Sequence, residues 1–366
     1  MKKFLNEIYK RKKIFVTGHT GFKGAWLSFW LTSLGAEVIG YSLQPSTTPN
    51  MFNVLNLEKD LTSIIGDIRN KESLEKVLNK YKPDYIFHLA AQPLVRKSYH
   101  EPHLTFETNV MGTVNLLEAA RKSNFEGSII NITSDKCYKN TENICNFKEN
   151  DPMGGYDPYS SSKGASELVT SAYRNSFFNP ENYNISHKVA LASARAGNVI
   201  GGGDWSEDRL IPDFVRALSK NEEIIIRNPH AIRPWQHVME CISGYLWLGA
   251  KLSENAQKYS ESWNFGPDED TAITVEEIVL KSIKLWGKGN YKIVLEKNLK
   301  EAVSLKLDIS KAKEKLNWQP IYNINQSLEK TIDWYKNFYE FKSDMYEYTK
   351  NQIEEYIIET DIMPIN

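Results

Sequence analysis

Tyr159 and Lys163 are four residues apart in a segment expected to be helical, and this pair points to proton transfer at an alcohol. Residues at that spacing lie one turn apart on the same helix face. A phenol has an ordinary pKa of about 10, and a nearby ammonium lowers that pKa by stabilising the phenolate. Such a tyrosine can accept the proton of an alcohol while hydride leaves the alcohol carbon. An exposed helix face is the alternative interpretation.

Ser134, Asp135 and Lys136 follow an apolar run at 129–132 that is typical of a strand. Ser134 is expected to hydrogen-bond the same substrate oxygen as Tyr159, with a cap or turn residue as the alternative. An adjacent acid and base at the edge of a sheet can also protonate a leaving hydroxyl and remove a carbon-bound proton. Taken alone, Asp135 and Lys136 fit a solvated turn better, and only the neighbouring motifs favour catalysis.

A glycine-rich segment follows the first apolar run at 13–17 and precedes an apolar helix at 22–34. Its glycines have the spacing GxxGxxG, which allows a pyrophosphate to approach backbone amides at a helix N-terminus. A tight strand-to-helix turn is the alternative, and the position between a strand and a helix favours dinucleotide binding. The candidate cofactor residues here are Gly18, His19, Thr20, Gly21, Phe22, Lys23 and Gly24.

The end of the second predicted strand, at 37–41, has no carboxylate to hold an adenosine ribose. The choice between NAD and NADP therefore stays open at this point. Lys23 can reach a 2′-phosphate, hold the pyrophosphate or remain solvated. Asp67 and Ile68 follow another short strand, where the carboxylate can accept from the adenine amino group while Ile68 packs on the ring. A simple strand-end turn is equally consistent with these two residues.

Short apolar runs alternate with amphipathic segments over the first half of the chain, and this pattern predicts helices on both faces of a parallel sheet. Strands are expected at 13–17, 37–41, 85–89, 128–132 and 190–194, and helices at 22–34, 74–81 and 113–122. The predicted fold class is α/β, a Rossmann-type doubly wound parallel sheet with a smaller C-terminal substrate-binding domain. The expected division is a dinucleotide-binding domain over 1–190 that also receives a segment near 232–265, a substrate-binding domain over 191–340, and a helical tail over 341–366.

The 366 residues carry a net charge of -1, so no global positive field exists to bind nucleic acid or an anionic membrane. The three cysteines, Cys137, Cys145 and Cys241, form no CxxC pair, and a disulfide framework or metal site is not expected. No apolar run is long enough to span a bilayer. We therefore expect a cytoplasmic protein without metal.

Several longer motifs together resemble the extended short-chain dehydrogenase/reductases of the NAD-dependent epimerase/dehydratase family. They are GHTGFKG at 18–24, HLAAQPLVR at 88–96, TNVMGT at 108–113 and the Tyr159–Lys163 pair. The string TSDKCY at 133–138 narrows the resemblance, because dTDP-glucose dehydratases carry Asp-Glu where this chain has Asp135–Lys136. Asp-Lys is similar to the CDP-glucose-specific 4,6-dehydratases, as are MGGYDPY at 153–159, RAGNVIGGGDW at 195–205 and IRPWQHV at 232–238.

This resemblance, over about residues 12–335, implies NAD as cofactor and CDP-glucose as substrate. Tyr159 is expected to take the 4-hydroxyl proton as hydride passes to NAD, water is lost across C5 and C6, and hydride returns to C6. Asp135 would protonate the departing 6-hydroxyl, and Lys136 stands at the position of the base for C5. A lysine acts there only when burial or nearby positive charge, such as that of Lys163, lowers its pKa from about 10.4. The product is a precursor for deoxysugars such as those of O-antigen.

The resemblance also assigns binding residues. The diphosphate contacts correspond to Asn198, Arg209 and Arg233, with salt bridges and a turn as alternatives, and guanidinium groups suit a pyrophosphate. His237 either orients Arg233 or packs, and Asn109 is expected to support the active-site helix and Lys163. His19 and the missing acid of the second strand suggest weak cofactor retention. Further expected contacts are Leu89, Ala90 and Ala91 to cofactor and Gln92 and Arg96 to substrate.

Two other functions stay open at this stage. A 4-epimerase or a dehydratase for another nucleotide sugar would share the fold, although an epimerase has no need of Asp135 and Lys136. A non-catalytic dinucleotide-sensing protein could dispense with Tyr159, Lys163 and Ser134, which this chain retains. By the same family analogy, a homodimer or homotetramer is expected, with helical faces around 105–122 and 160–175 in contact.

Overall fold

Short apolar segments in the first two thirds of the chain become the strands of one parallel sheet. The computed structural model describes residues 1–140, 146–268, 272–294 and 305–362. In this part of the chain, seven strands form the sheet, in the order β11-β7-β5-β4-β1-β2-β3. Their bounds are β1 (Lys13–Thr17), β2 (Glu37–Ser42), β3 (Thr62–Ile65), β4 (Tyr85–His88), β5 (Gly127–Ile132), β7 (Val189–Ala196) and β11 (Ser262–Phe265).

Helices cover both faces of this sheet, because its strands are apolar on both sides. Phe15 and Val16, adjacent in β1, pack into two different hydrophobic clusters. The helices are α1 (Lys2–Tyr9), α2 (Phe22–Ser33), α3 (Met51–Val54), α4 (Lys71–Tyr81), α5 (Val95–His100), α6 (Pro102–Phe106), α7 (Gly112–Lys122), α8 (Pro158–Ser176), α9 (Leu210–Lys220), α10 (Val238–Glu254), α11 (Ala256–Tyr259), α12 (Val275–Trp286), α13 (Ile324–Lys336) and α14 (Met345–Ile362). The predicted doubly wound α/β class is confirmed.

The strand order reverses beside β1, where β2 lies on one side and β4 on the other. In open parallel sheets, ligands bind outside the carboxyl ends of the strands at such a switch point. The loops that follow β1, β4, β5 and β7 all end at this edge. They carry Gly18, Gln92, Ser134 and Asn198, so the fold brings the principal predicted motifs to one crevice.

Shorter strands pair outside the main sheet. β8 (Asn198–Ile200), β10 (Ile232–His237) and β12 (Ala272–Thr274) form one small sheet, and β9 (Ile224–Ile226) pairs with β13 (Tyr291–Ile293). β6 (Asn146–Phe147) pairs with β14 (Lys306–Leu307). Because β7 begins at Val189 and β11 rejoins the main sheet, the sheet extends past residue 190, and the domain division itself stays a prediction.

The C-terminal helices fix the second glycine-rich segment, at 201–203. A Cβ on Gly202 would lie 2.0 Å from the Trp334 ring, and the Gly202 carbonyl accepts a hydrogen bond of 2.9 Å from Trp26 Nε1. The Tyr335 hydroxyl accepts from the Asp204 amide at 3.0 Å. The predicted terminal helix is present as α14, although residues 363–366 of the expected tail lie outside the described residues. None of the helices that the structure describes is both long and apolar enough to cross a membrane.

Candidate active site

The glycine-rich segment turns β1 directly into α2. Gly18 has a φ of 79°, and a Cβ there would lie 2.8 Å from the Ala90 nitrogen. A Cβ on Gly24 would lie 2.0 Å from the Gly18 oxygen, so only glycine allows the helix to pack so closely against the loop. Gly21 caps α2 and leaves its first amides at the carboxyl end of β1. This is the position at which helix amides bind a pyrophosphate.

His19 fills the space between this loop and β2 as a neutral side chain. Its Nε2 lies 2.8 Å from Ser63 Oγ, and a Cβ on Gly40 would approach its ring within 2.3 Å. Phe52 packs edge-on against the ring. Burial lowers the pKa of His19 to about 4, so the imidazole carries no charge at pH 7 with which to attract a phosphate.

Lys23 lies toward α8, the helix that carries Tyr159 and Lys163 and is called the catalytic helix below. Burial and, as the second cause, the positive charge of Lys23 lower the pKa of Lys163 to about 8. The same charge lowers the pKa of the buried Cys241 thiol on α10, although burial raises that pKa overall. A 2′-phosphate is bound near the end of β2 in this fold type. Of the three roles left open for Lys23, the structure therefore does not favour 2′-phosphate binding.

The Asp67 carboxylate is already engaged by an arginine that the sequence analysis did not consider. Arg69 Nη2 lies 2.6 Å from Asp67 Oδ2, and Arg69 Nη1 lies 2.7 Å from Glu107 Oε2. The hydrogen bonds from Arg69 hold the pKa of Asp67 below its ordinary value. Ile68 is buried, and its side chain lies where a Cβ on Gly112 would be only 2.8 Å away. An adenine amino group would therefore share Asp67 with Arg69.

Asn109 connects the loop after β4 to the helix that carries Tyr159 and Lys163. Its Oδ1 accepts from the Gln92 amide at 2.8 Å, and its Nδ2 donates to Ser162 Oγ at 2.8 Å. The Gln92 side chain is also used internally, because its Nε2 donates to Leu94 O at 3.1 Å and Thr105 Oγ1 at 2.9 Å. Both donor hydrogens of this predicted substrate residue are thus occupied. The neighbouring cofactor candidates Leu89, Ala90 and Ala91 are half-buried.

Tyr159, Ser134 and Lys163 come together between β5 and α8. Ser134 lies close enough to Tyr159 to lower the pKa of its phenol, and Lys163 Nζ donates to Ile132 O at 3.5 Å. Burial raises the pKa of Tyr159 above its ordinary value, and this effect outweighs the lowering by Lys136 and by the Ser134 hydrogen bond. The expectation of a net lowered phenol pKa is therefore wrong for the ligand-free site. Lys136, not Lys163, is the largest source of stabilising charge.

Asp135 points a buried oxygen into the same site. The residue is 1% exposed, and its Oδ1 accepts from Ser134 Oγ at 2.9 Å. Lys136 Nζ lies 3.8 Å from that Oδ1, and the Lys136 side chain is 33% exposed. Asp135 Oδ2 has no hydrogen-bond partner among the described residues, and a Cβ on Gly197 would lie 3.1 Å from it. A buried carboxylate oxygen without a partner is costly, so this atom is suited to a substrate hydroxyl.

Arg209 faces the catalytic tyrosine and is held by an aspartate. Its Nη1 lies 2.8 Å from Asp204 Oδ2, and Asp204 is itself buried. The charge of Arg209 lowers the pKa of Tyr159, after the larger effects of burial, Lys136 and Ser134. The residue that the sequence assigns to the diphosphate is therefore close to the reaction centre as well.

Two further arginines share one carboxylate. Arg96 Nη1 and Arg227 Nη1 each lie 3.4 Å from Asp208 Oδ1. Asp208 has a φ of 57°, and its side chain is 41% exposed. Arg233 donates from Nη1 to Ile232 O at 2.9 Å. Arg96, Arg209, Arg227 and Arg233, with Asp204 and Asp208, are called the arginine region below.

His237 packs in the core. It is 0% exposed, its Nδ1 accepts from the Met239 amide at 3.3 Å as the cap of α10, and its ring contacts Trp26 and Tyr322. Burial lowers its pKa to about 3. Of the two alternatives left open for His237, orienting Arg233 or packing, the structure favours packing. Asn198 is half-buried at the start of β8, at the carboxyl edge of β7.

Sequence reasoning did not single out a buried ion pair behind the site. Glu167 lies one helical turn beyond Lys163, and its Oε2 lies 2.8 Å from Arg195 Nη2. The spacing of Tyr159, Lys163 and Glu167 along one face of α8 was a signal that Glu167 lies near the site.

Among the described residues, no group of three or more His, Cys, Asp or Glu side chains is arranged to hold a metal ion. Cys137 and Cys241 are buried free thiols, and Cys145 lies outside the described residues.

Comparison with known proteins adds independent support for the predicted family. The family model described as GDP-mannose 4,6 dehydratase matches residues 15–331. The chain is 51% identical over 353 residues to a CDP-glucose 4,6-dehydratase from Salmonella typhimurium, covering 96% of this chain and 98% of that protein.

Solved structures agree on the fold. A dTDP-glucose 4,6-dehydratase from Bacillus anthracis, solved in complex with NAD, superposes with a TM-score of 0.73 at 24% identity, covering 92% of this chain and 99% of that one. A UDP-glucose 4-epimerase from Thermotoga maritima gives a TM-score of 0.76 at 24% identity, with 90% and 100% of the two chains covered. With the crevice, its Tyr-Lys pair and these matches in agreement, the chain belongs to the GDP-mannose 4,6-dehydratase family of the extended short-chain dehydrogenase/reductases.

Proposed function

We propose that the protein converts CDP-glucose to CDP-4-keto-6-deoxyglucose and water. The observation that carries this proposal is the buried Asp135 Oδ2, which has no partner among the described residues and lies beside Lys136 and the Ser134–Tyr159 pair. This site offers groups both for oxidation at C4 and for elimination across C5 and C6. The high identity to a CDP-glucose 4,6-dehydratase over nearly the whole chain supports CDP as the nucleotide.

The glycine cradle fits the NAD that this reaction requires. Gly18 and Gly24 leave no room for a side chain, so backbone amides of α2 stay accessible to a pyrophosphate. Leu89, Ala90 and Ala91 would line the nicotinamide side, and Lys23 lies toward the catalytic helix. NAD, when bound, takes up the hydride released at C4 and gives it back at C6.

Tyr159 performs the proton transfer of the oxidation. Its phenolate accepts the 4-hydroxyl proton, and Ser134 hydrogen-bonds the same oxygen. Because burial raises the pKa of Tyr159, the positive charges of Lys136 and Arg209 are needed to favour the phenolate. Because C4 remains a ketone in the product, Tyr159 does not return this proton to the sugar but passes it to solvent, and Asp135, which loses a proton in the elimination, regains one from solvent.

Asp135 and Lys136 perform the elimination. Lys136 removes the proton from C5, and Asp135 gives a proton from Oδ2 to the 6-hydroxyl, which leaves as water while the C5–C6 double bond forms. Lys136 then returns the proton to C5 as C6 is reduced. A lysine accepts a proton only in its neutral form, so in this proposal Lys136, which is 33% exposed, releases its proton to solvent after the oxidation at C4 and before it acts on C5.

Asn198, Arg209 and Arg233 hold the diphosphate in this proposal, with Arg96 beside them. Arginine pairs with diphosphate oxygens through two parallel hydrogen bonds. Arg209 already donates one hydrogen bond to a carboxylate, from Nη1 to Asp204 Oδ2 at 2.8 Å, and this contact orients its guanidinium group. The sugar is then placed between this group and Tyr159.

The decisive experiment is incubation with CDP-, dTDP-, UDP- and GDP-sugars, with detection of the 4-keto product by mass spectrometry and absorbance in base. Only CDP-glucose is expected to give the 4-keto-6-deoxy product at a substantial rate. A C4 epimer in place of this product would support the epimerase alternative, and binding without turnover would support the sensing alternative.

The cofactor is tested separately by titration of the purified protein with NAD and NADP. NAD is expected to bind more tightly, measured by calorimetry, and to support faster turnover. A clear preference for NADP would contradict the assignment of NAD as cofactor and would favour Lys23 as a ligand of the 2′-phosphate.

We also propose that the protein forms a homodimer or homotetramer through α7 and α8. Three large apolar side chains on or near these helices are exposed: Phe106 by 40%, Met111 by 49% and Leu168 by 60%. Exposed apolar groups on adjacent helices are typical of a protein contact. Light scattering coupled to gel filtration is expected to give at least twice the chain mass, and Leu168→Glu is expected to reduce it.

The cell compartment that we propose is the cytoplasm, with the product serving deoxysugar synthesis for O-antigen. The buried free thiols of Cys137 and Cys241 are consistent with a reducing environment. Fractionation of the source cells is expected to give the protein in the soluble fraction. Deletion of its gene is expected to alter the lipopolysaccharide pattern on gels.

A further inference from the structure

The ion pair between Glu167 and Arg195 connects α8 to β7 directly behind the turn at 134–137, which is called the catalytic turn below. Both residues are 3% exposed. Glu167 Oε2 accepts from Arg195 Nη2 at 2.8 Å and from Ser193 Oγ at 2.7 Å. Burial alone would raise the pKa of Glu167, but Arg195 and the hydroxyl donors lower it below its ordinary value, so the pair is ionised.

Each end of the catalytic turn is attached to this ion pair. Thr133, which precedes Ser134, donates a short hydrogen bond from Oγ1 to Glu167 Oε1. Tyr138, two residues after Lys136, accepts from Arg195 Nη1 at 2.6 Å. The Arg195 guanidinium also lies 4.9 Å from the centre of the Tyr138 ring.

The turn between these two attachment points is held together by local hydrogen bonds, from the Lys136 amide to Ser134 Oγ at 3.2 Å and from the Cys137 amide to Ser134 O at 3.2 Å. Asp135 Oδ2 has no partner among the described residues, and Lys136 is partly exposed. A second link continues from the Tyr138 hydroxyl, which donates to Asn264 Oδ1 at 2.7 Å in β11. The positions of Asp135 and Lys136 relative to Tyr159 are therefore set by what holds Thr133 and Tyr138.

We propose that Glu167 and Arg195 are positioning residues for the elimination step. Their ion pair fixes the turn that carries Asp135 and Lys136 against the helix that carries Tyr159 and Lys163. This proposal rests on the proposed dehydratase function, since it assigns the pair to one step of that reaction. A displacement of about 1 Å at a reacting group can cost on the order of 10²-fold in rate.

The test uses Arg195→Met, Glu167→Gln and the nearly isosteric Tyr138→Phe in the full-length protein with NAD and CDP-glucose. Two steps are followed in a single turnover: formation of reduced nicotinamide by absorbance, and uptake of solvent deuterium at C5 by mass spectrometry. C5 exchange is expected to fall about 10- to 100-fold in Arg195→Met and Glu167→Gln. Tyr138→Phe keeps the ring that stacks on Phe147, so this variant is expected to fold. Its C5 exchange is expected to fall severalfold. Oxidation at C4 is expected to fall less than C5 exchange in all three.

Glu240→Gln is the matched control, because Glu240 is another fully buried carboxylate that lies on α10 away from the turn. Its oxygens accept from the Ile321 and Tyr322 amides and from the Tyr356 hydroxyl. We expect this variant to lose thermal stability without changing the ratio of C5 exchange to C4 oxidation. A change of that ratio in Glu240→Gln equal to that in Glu167→Gln would overturn the proposal.

A double-mutant cycle separates positioning from general structural support. If Arg195 acts by placing Lys136, then Lys136→Met should cost far less in the Arg195→Met protein than in the parent. Additive losses, or equal losses of both steps, would contradict the proposal. The parent protein's own C5 exchange with CDP-glucose reports on the proposed function, whereas the ratio of variant to parent reports only on positioning.

Discussion

The catalytic turn and the arginine region both act on Tyr159 but are stabilised in different ways. Around the turn, Thr133, Glu167 and Arg195 are buried and make hydrogen bonds only with the protein. In the arginine region, Arg96 and Arg209 are about one-third exposed and pair with aspartates. The groups of the first arrangement are fixed by buried partners within the protein, and those of the second can exchange their partners for a ligand.

This difference assigns separate tasks to the two sides. Groups that act on a transition state gain most when they are fixed beforehand. Groups that bind a flexible anion benefit from partners that they can exchange on binding. Substitutions on the turn side are therefore expected to change individual chemical steps, and substitutions in the arginine region are expected to change substrate affinity.

The largest effect is expected for Tyr159→Phe. The ring is retained and only the proton acceptor is lost, so folding should be preserved while oxidation at C4 falls by about 10³- to 10⁴-fold. The measurement is reduced-nicotinamide absorbance in a single turnover, with thermal unfolding as the control. Oxidation at the parental rate would show that another group accepts the proton.

Lys136→Met should give the next largest effect and separate the two steps. The side-chain length is largely kept, but the amine is removed, so C5 exchange should fall about 10²- to 10³-fold while C4 oxidation continues. Because Lys136 also lowers the pKa of Tyr159, the pH dependence of oxidation should shift to higher pH in the variant. Normal deuterium uptake at C5 would rule out Lys136 as the base and leave it a structural residue.

In the arginine region, Arg209→Met should raise the KM for CDP-glucose about 10- to 100-fold, which corresponds to the free energy of one charge-assisted hydrogen bond. Asp204→Asn should raise KM less, since it leaves the guanidinium present but less well oriented. If Arg209→Met instead lowered kcat alone, the division of tasks between the two sides would be wrong.

The last effect should leave the reaction unchanged and concerns Glu240, outside both regions. Burial raises the pKa of Glu240 from 4.5 to about 7, so the folded protein binds a proton that the unfolded chain releases. This contribution to stability is fully present below pH 4.5 and is lost as pH rises to 7, by about 1–3 kcal/mol. The free energy of unfolding, measured with urea across this pH window, should have a smaller slope against pH in Glu240→Gln than in the parent. Equal slopes would mean that Glu240 does not titrate there.

The sheet and the catalytic motifs were predictable because their signals are local. The strand at 13–17 and the strand-to-helix glycines follow from periodicity and from close backbone contact, and Tyr159–Lys163 follows from helical spacing. The prediction for the Tyr159 pKa was wrong because burial, which depends on the whole fold, outweighs the neighbouring charges.

Partners distant in the chain could not be inferred in the same way. Arg69 pairs with Asp67 two residues away, yet its second partner, Glu107, is 38 residues on. Glu167 and Arg195 are 28 residues apart and meet only because β7 lies beside β5 in the sheet. Likewise, the packing of His237 depends on Trp26 and Tyr322, which no local pattern connects to it.

Asp208, shared by Arg96 and Arg227, has a consequence for how substrate reaches the crevice. A carboxylate already sits between two guanidinium groups, so diphosphate binding there is an exchange of one anion for another. Part of the positive potential that would draw a nucleotide from a distance is neutralised in advance. Association should then depend only weakly on ionic strength, and the encounter rate should stay below that of an electrostatically steered complex.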